Sequence, residues 1–144
     1  MTFTFANEQE SMEWKILQYQ YPEEELSTPE SYNYNANWLK IQVSHRQEGY
    51  GPVVFRESFL MTYELEELIH GLKLVAAEEE YYFKAEFIEP VLEVEVARHR
   101  DDFHVSFDLF FENYEMMVAD TLTQEGLEKM IADLEAMAAE FPER

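Results

Sequence analysis

Cysteine is absent from this 144-residue chain. Without thiols there is no disulfide, no thiolate metal site and no cysteine nucleophile. That absence agrees with a reducing cytosol. Glycine is nearly as scarce, with four in all, too few for a loop that wraps phosphate. The Gly-x-Ser-x-Gly elbow, the phosphate-cradling glycine loop, the dinucleotide fingerprint and the His-Glu-x-x-His zinc helix are all missing. No apolar run approaches the ~20 residues needed to span a bilayer. The first residues, Met1-Thr2-Phe3-Thr4-Phe5-Ala6-Asn7-Glu8, lack a basic region and an apolar core, so no secretory signal is expected and a cytoplasmic location is. The scarcest class relative to its opposite is the basic one. Ten Lys and Arg stand against 31 Asp and Glu, for a formal charge of −21. Such a surface is repelled by phosphate backbones and anionic lipid, which argues against nucleic-acid and membrane partners. It attracts basic proteins, cationic ligands and metal ions, over a range cut to about 8 Å at physiological ionic strength.

What is present is enough to fold. Hydrophobic residues make up 47% of the chain and aromatics 15%, which rules against an acidic disordered tail and suits strands. The length predicts one α+β domain over residues 1–144, able to bury roughly 68–70% of the surface of the unfolded chain. Alternating apolar residues predict strands at 14–21, 35–45, 53–60, 81–88, 91–98, 103–111 and 114–119, with an extra edge strand at Phe3 to Phe5. Two stretches change to helical period. Leu65, Leu68, Ile69, Leu72, Val75 and Ala76 form one apolar stripe, with Thr62 placed as its N-cap. Leu127, Met130, Ile131, Leu134, Met137, Ala138 and Phe141 form the other, capped by Thr121 or Thr123 and stopped by Pro142. Gly71 within the first stripe costs about 1 kcal/mol relative to Ala, which points to a close neighbour there. The expected order is β-β-β-α-β-β-β-β-α: an antiparallel sheet of six to eight strands with two helices packed on one face.

Chemistry-bearing clusters are few. His99, Asp101, Asp102 and His104 place two imidazoles and two carboxylates within six residues. A metal site needs three or four converging ligands, and Arg100 in their midst repels a cation. The plainer reading is a solvated turn. His45 and His70 are isolated, and Glu66 lies one helical turn before His70 as a surface pair. The acid runs Glu23-Glu24-Glu25 and Glu78-Glu79-Glu80 read as solvated segments. The second run sits at the end of a helix, where the macrodipole disfavours anions, so it also suits a charged binding patch. Tyr19, Tyr21, Tyr32, Tyr34, Trp38 and Tyr50 lie near acids and fit either a protein-binding surface or ordinary sheet-face packing.

Several segments together resemble one family. Tyr34-Asn35-Ala36-Asn37-Trp38-Leu39 is similar to its D-A-N-W-L signature, with Asn35 in place of the usual Asp. Phe59 to Leu68 resembles the start of its first helix. Phe87-Ile88-Glu89-Pro90, with Leu92 two residues on, resembles its F-x-E-P-x-L element, and Phe141-Pro142-Glu143-Arg144 its ending. In these segments the chain resembles the WapI-type bacterial immunity proteins. The resemblance implies neutralisation of a secreted or contact-delivered toxin by tight binding in the cytoplasm.

The leading expectation is a non-catalytic protein-binding protein whose partner is a basic, nuclease-like toxin domain. Glu23, Glu24, Glu25, Glu78, Glu79 and Glu80 would steer the encounter, and Tyr34 and Trp38 would anchor it. No cofactor is expected, and exposed edge strands leave room for a homodimer. The alternatives are a metal- or carboxylate-dependent hydrolase using His99 or His104, and a structural or regulatory subunit.

Overall fold

Two copies of one plan follow each other along the chain: four antiparallel strands, then a helix. The computed structural model describes residues 1–144. The first unit comprises β1 (Phe3–Ala6), β2 (Glu10–Tyr19), β3 (Trp38–Gln47), β4 (Val53–Met61) and α1 (Thr62–Ala76). The second comprises β5 (Tyr82–Glu86), β6 (Leu92–His99), β7 (Asp102–Phe111), β8 (Tyr114–Leu122) and α2 (Gln124–Ala139). The expected class, antiparallel pairing and order of elements hold. The strands are divided between two sheets, ordered β1-β2-β3-β4 and β5-β6-β7-β8. The physical reason is the connection. Within each sheet neighbours are joined in sequence as antiparallel pairs, whereas α1 intervenes between β4 and β5 and carries the chain away from the first sheet.

Each sheet is apolar on one face only. In the first, Phe3, Phe5, Met12, Trp14, Ile16, Leu39, Ile41 and Val43 are buried; in the second, Val94, Val96, Phe103, Val105, Phe107, Leu109, Met116 and Val118 are. These faces meet. Trp14 contacts Phe107 edge-on at a centroid separation of 5.7 Å, and Phe3 and Phe5 reach the same ring at 5.6 and 5.1 Å. The stripes of α1 and α2 complete one cluster of 32 buried apolar residues shared by both sheets. A single eight-stranded sheet with two helices would leave much of its apolar face wet; facing the two sheets removes it from water at about 25 cal/mol per Å².

Local sequence explains the helix ends, with two corrections. Thr62 is the first residue of α1 and Met61 precedes it as the cap. The capping partner is Glu64, whose Oε1 accepts from the Met61 backbone N–H at 3.1 Å. Trp38, where β3 begins, is preceded by a 3-10 turn over Asn35–Asn37, so the strand starts later than its apolar pattern suggests. At the other end α1 stops at Ala76, and the N–H groups of Glu78 and Glu79 return to the carbonyls of Val75 and Leu74. This is a Schellman closure whose left-handed residue is Glu78, at φ +63°. On α2, Thr123 accepts from the Gly126 N–H at 3.1 Å, so it rather than Thr121 is the cap. Lys129 pairs with Asp133 one turn further on at 2.8 Å. Gly71 has the close neighbour its position implied: the Phe83 side chain of β5 lies over it.

Candidate binding surfaces

The segments that carry the family resemblance are far apart in sequence and meet around the N-terminus of α1. Asn37 is fully buried at their centre. Its amide nitrogen donates to the carbonyls of Asn33 and Arg144 at 3.0 and 2.8 Å. Its oxygen accepts from Thr62 Oγ1 at 2.8 Å and from the Arg144 N–H at 2.7 Å. One short side chain therefore satisfies four groups from three segments. Arg144 extends the knot. Its guanidinium donates to the carbonyls of Tyr21, Pro22 and Ala36 and stacks 3.9 Å from the Tyr19 ring centre. A few residues away, Glu64 binds the Ile88 N–H at 2.9 Å, tying the Phe-Ile-Glu-Pro segment to the same helix end. Burial pushes the Glu64 carboxyl upward, while hydrogen bonds from Ile88 and Met61 oppose the rise. These residues hold the long 20–37 segment in place.

That segment displays the first of the anticipated binding residues. Glu23 and Glu25 are exposed and Glu24 half-buried, the last within 3.2 Å of the Asn33 amide. Tyr34 is 57% exposed and packs edge-on against Tyr32, which in turn meets Tyr63. Burial and the Glu143 carboxylate push the Tyr32 phenol well up. Trp38 is half-buried on the outer face of the first sheet. Glu78, Glu79 and Glu80 lie at the opposite end of α1, about 22 Å away at 1.5 Å per residue. Glu78 is engaged there, 2.9 Å from Arg98. The expected steering residues thus form two separate groups.

The outward faces of the two sheets differ sharply in charge. On the first, Lys15, Lys40 and Arg46 alternate with the buried residues of β2 and β3, Arg56 of β4 sits opposite Gln42, and Glu13 of β2 is the acid beside them. None of these four cations takes part in an ion pair. On the second, the register aligns Glu86, Glu93 and Asp108 across three adjacent strands. Glu95 and Glu115 flank them, and Lys84 is the one cation, 3.8–3.9 Å from Glu86, Glu93 and Glu95. Burial, Glu115 and Glu93 together push the Asp108 carboxyl up, and its Oδ1 is buried without a hydrogen-bond partner. Phe110 and Met117 share this face and are 49% and 54% exposed. Sequence reasoning passed over these residues as ordinary outward positions. The signal was Phe110, an apolar residue standing where the alternation calls for a polar one.

Between the sheets lies a buried relay. His45 is 2% exposed, with Nδ1 2.8 Å from the Tyr114 hydroxyl and Nε2 2.7 Å from Glu10 Oε1. It joins β2, β3 and β8. Glu10 also lines an open, polar cleft of about 430 Å³ with Asn7, Arg46 and Tyr50. The other histidines are dispersed. His70 is exposed and forms no pair with Glu66. His99, Asp101, Asp102 and His104 share the β6–β7 turn end, with His99 opposite Asp102 and His104 opposite Ala97. No group of three or more His, Asp or Glu side chains converges there or elsewhere in ligand geometry.

Two antiparallel sheets and two helices around one core, with a strongly acidic composition, define an acidic α+β protein. The chain belongs to the immunity protein WapI-like family, whose sequence profile matches residues 3–142. Among curated proteins no sequence matches it. Among solved structures it is similar to WHY3 of Arabidopsis thaliana, at 10% identity over 96% of this chain and 86% of that one, with a TM-score of 0.47. It is also similar to the plant transcriptional regulator PBF-2, at 11% identity over 96% and 80% of the two chains and a TM-score of 0.44. WHY1 of Arabidopsis thaliana matches at 9% identity over 96% and 88%, with a TM-score of 0.43. Nothing about binding follows from similarity at this level.

Proposed function

We propose that the chain is an immunity protein that neutralises a basic, nuclease-like toxin domain by binding it in the cytoplasm, without catalysis. Family membership supports the immunity role. The observation that carries the finer reading is the charge: −21 on 144 residues, with the acids displayed on the outer face of the second sheet and on the 20–37 segment. A nuclease presents cations where phosphates will lie, and a carboxylate surface meets the same cations. Long-range attraction raises the encounter rate, and buried apolar contacts set the lifetime of the complex. The same charge opposes binding to polyanions and membranes.

The test is co-expression with the C-terminal domain of the protein encoded by the neighbouring reading frame, scored for toxicity alone and for rescue of growth. It is paired with stopped-flow association across a roughly tenfold range of salt. Rescue and a rate that falls steeply with salt are expected. A salt-insensitive rate refutes the steering; absence of any complex refutes the reading as a whole.

A further inference from the structure

We propose that the outer face of the β5–β8 sheet is the surface on which the basic domain docks. The partner's lysines and arginines meet the carboxylates of Glu86, Glu93, Glu95, Asp108 and Glu115, and its apolar side chains cover Phe110 and Met117. The proposal rests on the toxin-binding reading and adds to it which of the molecule's faces is used.

Three independent features point to this face. The first is the contrast with its counterpart. Both sheets turn a four-stranded outer face to solvent, yet four of the ten Lys and Arg residues stand unpaired on the first and only Lys84 interrupts the acids of the second. The first face, where four cations outnumber the exposed Glu13, is the poorer match for a cationic partner, and the second is the better one. The second is the register. Glu93 and Asp108 are directly opposed across β6 and β7, an arrangement unfavourable to a sheet by itself, and Lys84, which lies among Glu86, Glu93 and Glu95, forms no ion pair with Asp108. Asp108 Oδ1 also has no hydrogen-bond donor within the chain. A guanidinium or ammonium group from outside relieves both defects. The third is composition. Phe110 and Met117, each about half exposed, stand among the carboxylates, the combination of apolar centre and charged surround that protein interfaces use. The 20–37 acids lack the like-charge alignment, and Glu78 is already committed to Arg98.

The experiment uses the full chain and the toxin domain whose growth arrest it relieves in the co-expression test. Hydrogen exchange of the unaltered chain, free and in the complex, is the readout that needs no substitution. Amides of β6, β7 and β8 should gain protection, and those of residues 20–37 should not. Two variants follow, each checked by thermal unfolding: Phe110→Ala with Met117→Ala, and Glu93→Gln with Asp108→Asn and Glu115→Gln. The first should speed dissociation by about 10- to 100-fold; the second should slow low-salt association by about fivefold or more. The triple Glu57→Gln, Glu66→Gln, Glu125→Gln removes the same charge from exposed positions that take part in no ion pair and should change either rate by no more than about twofold. Protection confined to residues 20–37, or rates unaltered by both sheet variants while the complex still forms, overturns this docking face and leaves the immunity reading standing. A toxin domain that the unaltered chain does not bind removes the immunity reading and the docking face with it. Sedimentation showing that the face is occupied by a second copy of the chain in the toxin complex also overturns the proposal.

Discussion

Replacing Gly71 by Ala sets two well-separated effects against each other. Alanine in a helix interior is favoured over glycine by about 1 kcal/mol, so an open site would gain stability. At Gly71 the added methyl overlaps the far end of the Phe83 ring, closer to Cζ, Cε1 and Cε2 than van der Waals contact allows. Contact at that range forces the ring or the helix to shift, and overpacking of this kind costs about 1–3 kcal/mol. Phe83 is half-buried on β5, an edge strand, so part of the strain is released by outward movement of the ring. The balance is a loss of about 1 kcal/mol, equivalent to a Tm lower by roughly 2–4 °C. Urea unfolding followed by circular dichroism measures it. The decisive form is a double-mutant cycle with Phe83→Ala. With the ring gone, Gly71→Ala should become stabilising by about 0.5–1 kcal/mol, so the sign of the effect reverses. A Gly71→Ala chain that is more stable than the parent refutes the argument. So does an unchanged penalty in the Phe83→Ala background.

Asn37→Ala removes the acceptor and donors for four groups in a fully buried place and should cost about 3 kcal/mol or more in chemical denaturation. Asn35→Ala, two residues away and exposed, should stay within about 0.5 kcal/mol of the parent. Tyr114→Phe deletes one bond of the Glu10–His45–Tyr114 relay and should cost about 1 kcal/mol, seen as a lower urea midpoint. The pH response follows from Asp108 and Glu64, both raised above their ordinary values of 3.8 and 4.5. A raised acid binds its proton more tightly in the folded state. Its stabilising contribution is therefore complete below the unfolded value and is lost as pH rises through the folded one. Thermal melts should show Tm rising as pH falls from neutrality toward about 4.5. Asp108→Asn should raise Tm at pH 7 and flatten that profile, because the like-charge opposition to Glu93 is worth about 0.2–1 kcal/mol. A parent Tm that falls on mild acidification counts against this account.

Both helices and the strands were legible in the chain because their signals are local. Period 2 through Phe103–Phe111 and period 3.6 through Leu65–Ala76 are set by how successive side chains leave the backbone. Gly71 likewise announced a neighbour, though not that it would be Phe83. The family segments were legible as words without their purpose. Asn37 fell within the strand expected at 35–45, and nothing near it in sequence shows that Thr62 and Arg144 close around it. The anticipated steering acids were picked as contiguous runs. The second sheet's face instead assembles Glu86, Glu93, Asp108 and Glu115 from four strands, so no run of sequence displays it.

Charge, composition and periodicity are sums over neighbours in the chain, and the amino-acid order alone determined them: an acidic α+β protein with eight strands and two helices. Which strands face each other, which polar side chains are sealed between segments, and how positive and negative groups are parcelled onto opposite sheets were decided only when the two apolar faces closed on Trp14 and Phe107. Burying those faces against one another is a long-range event. It brings together residues as distant as Asn37 and Arg144, and no local pattern encodes which of them will touch.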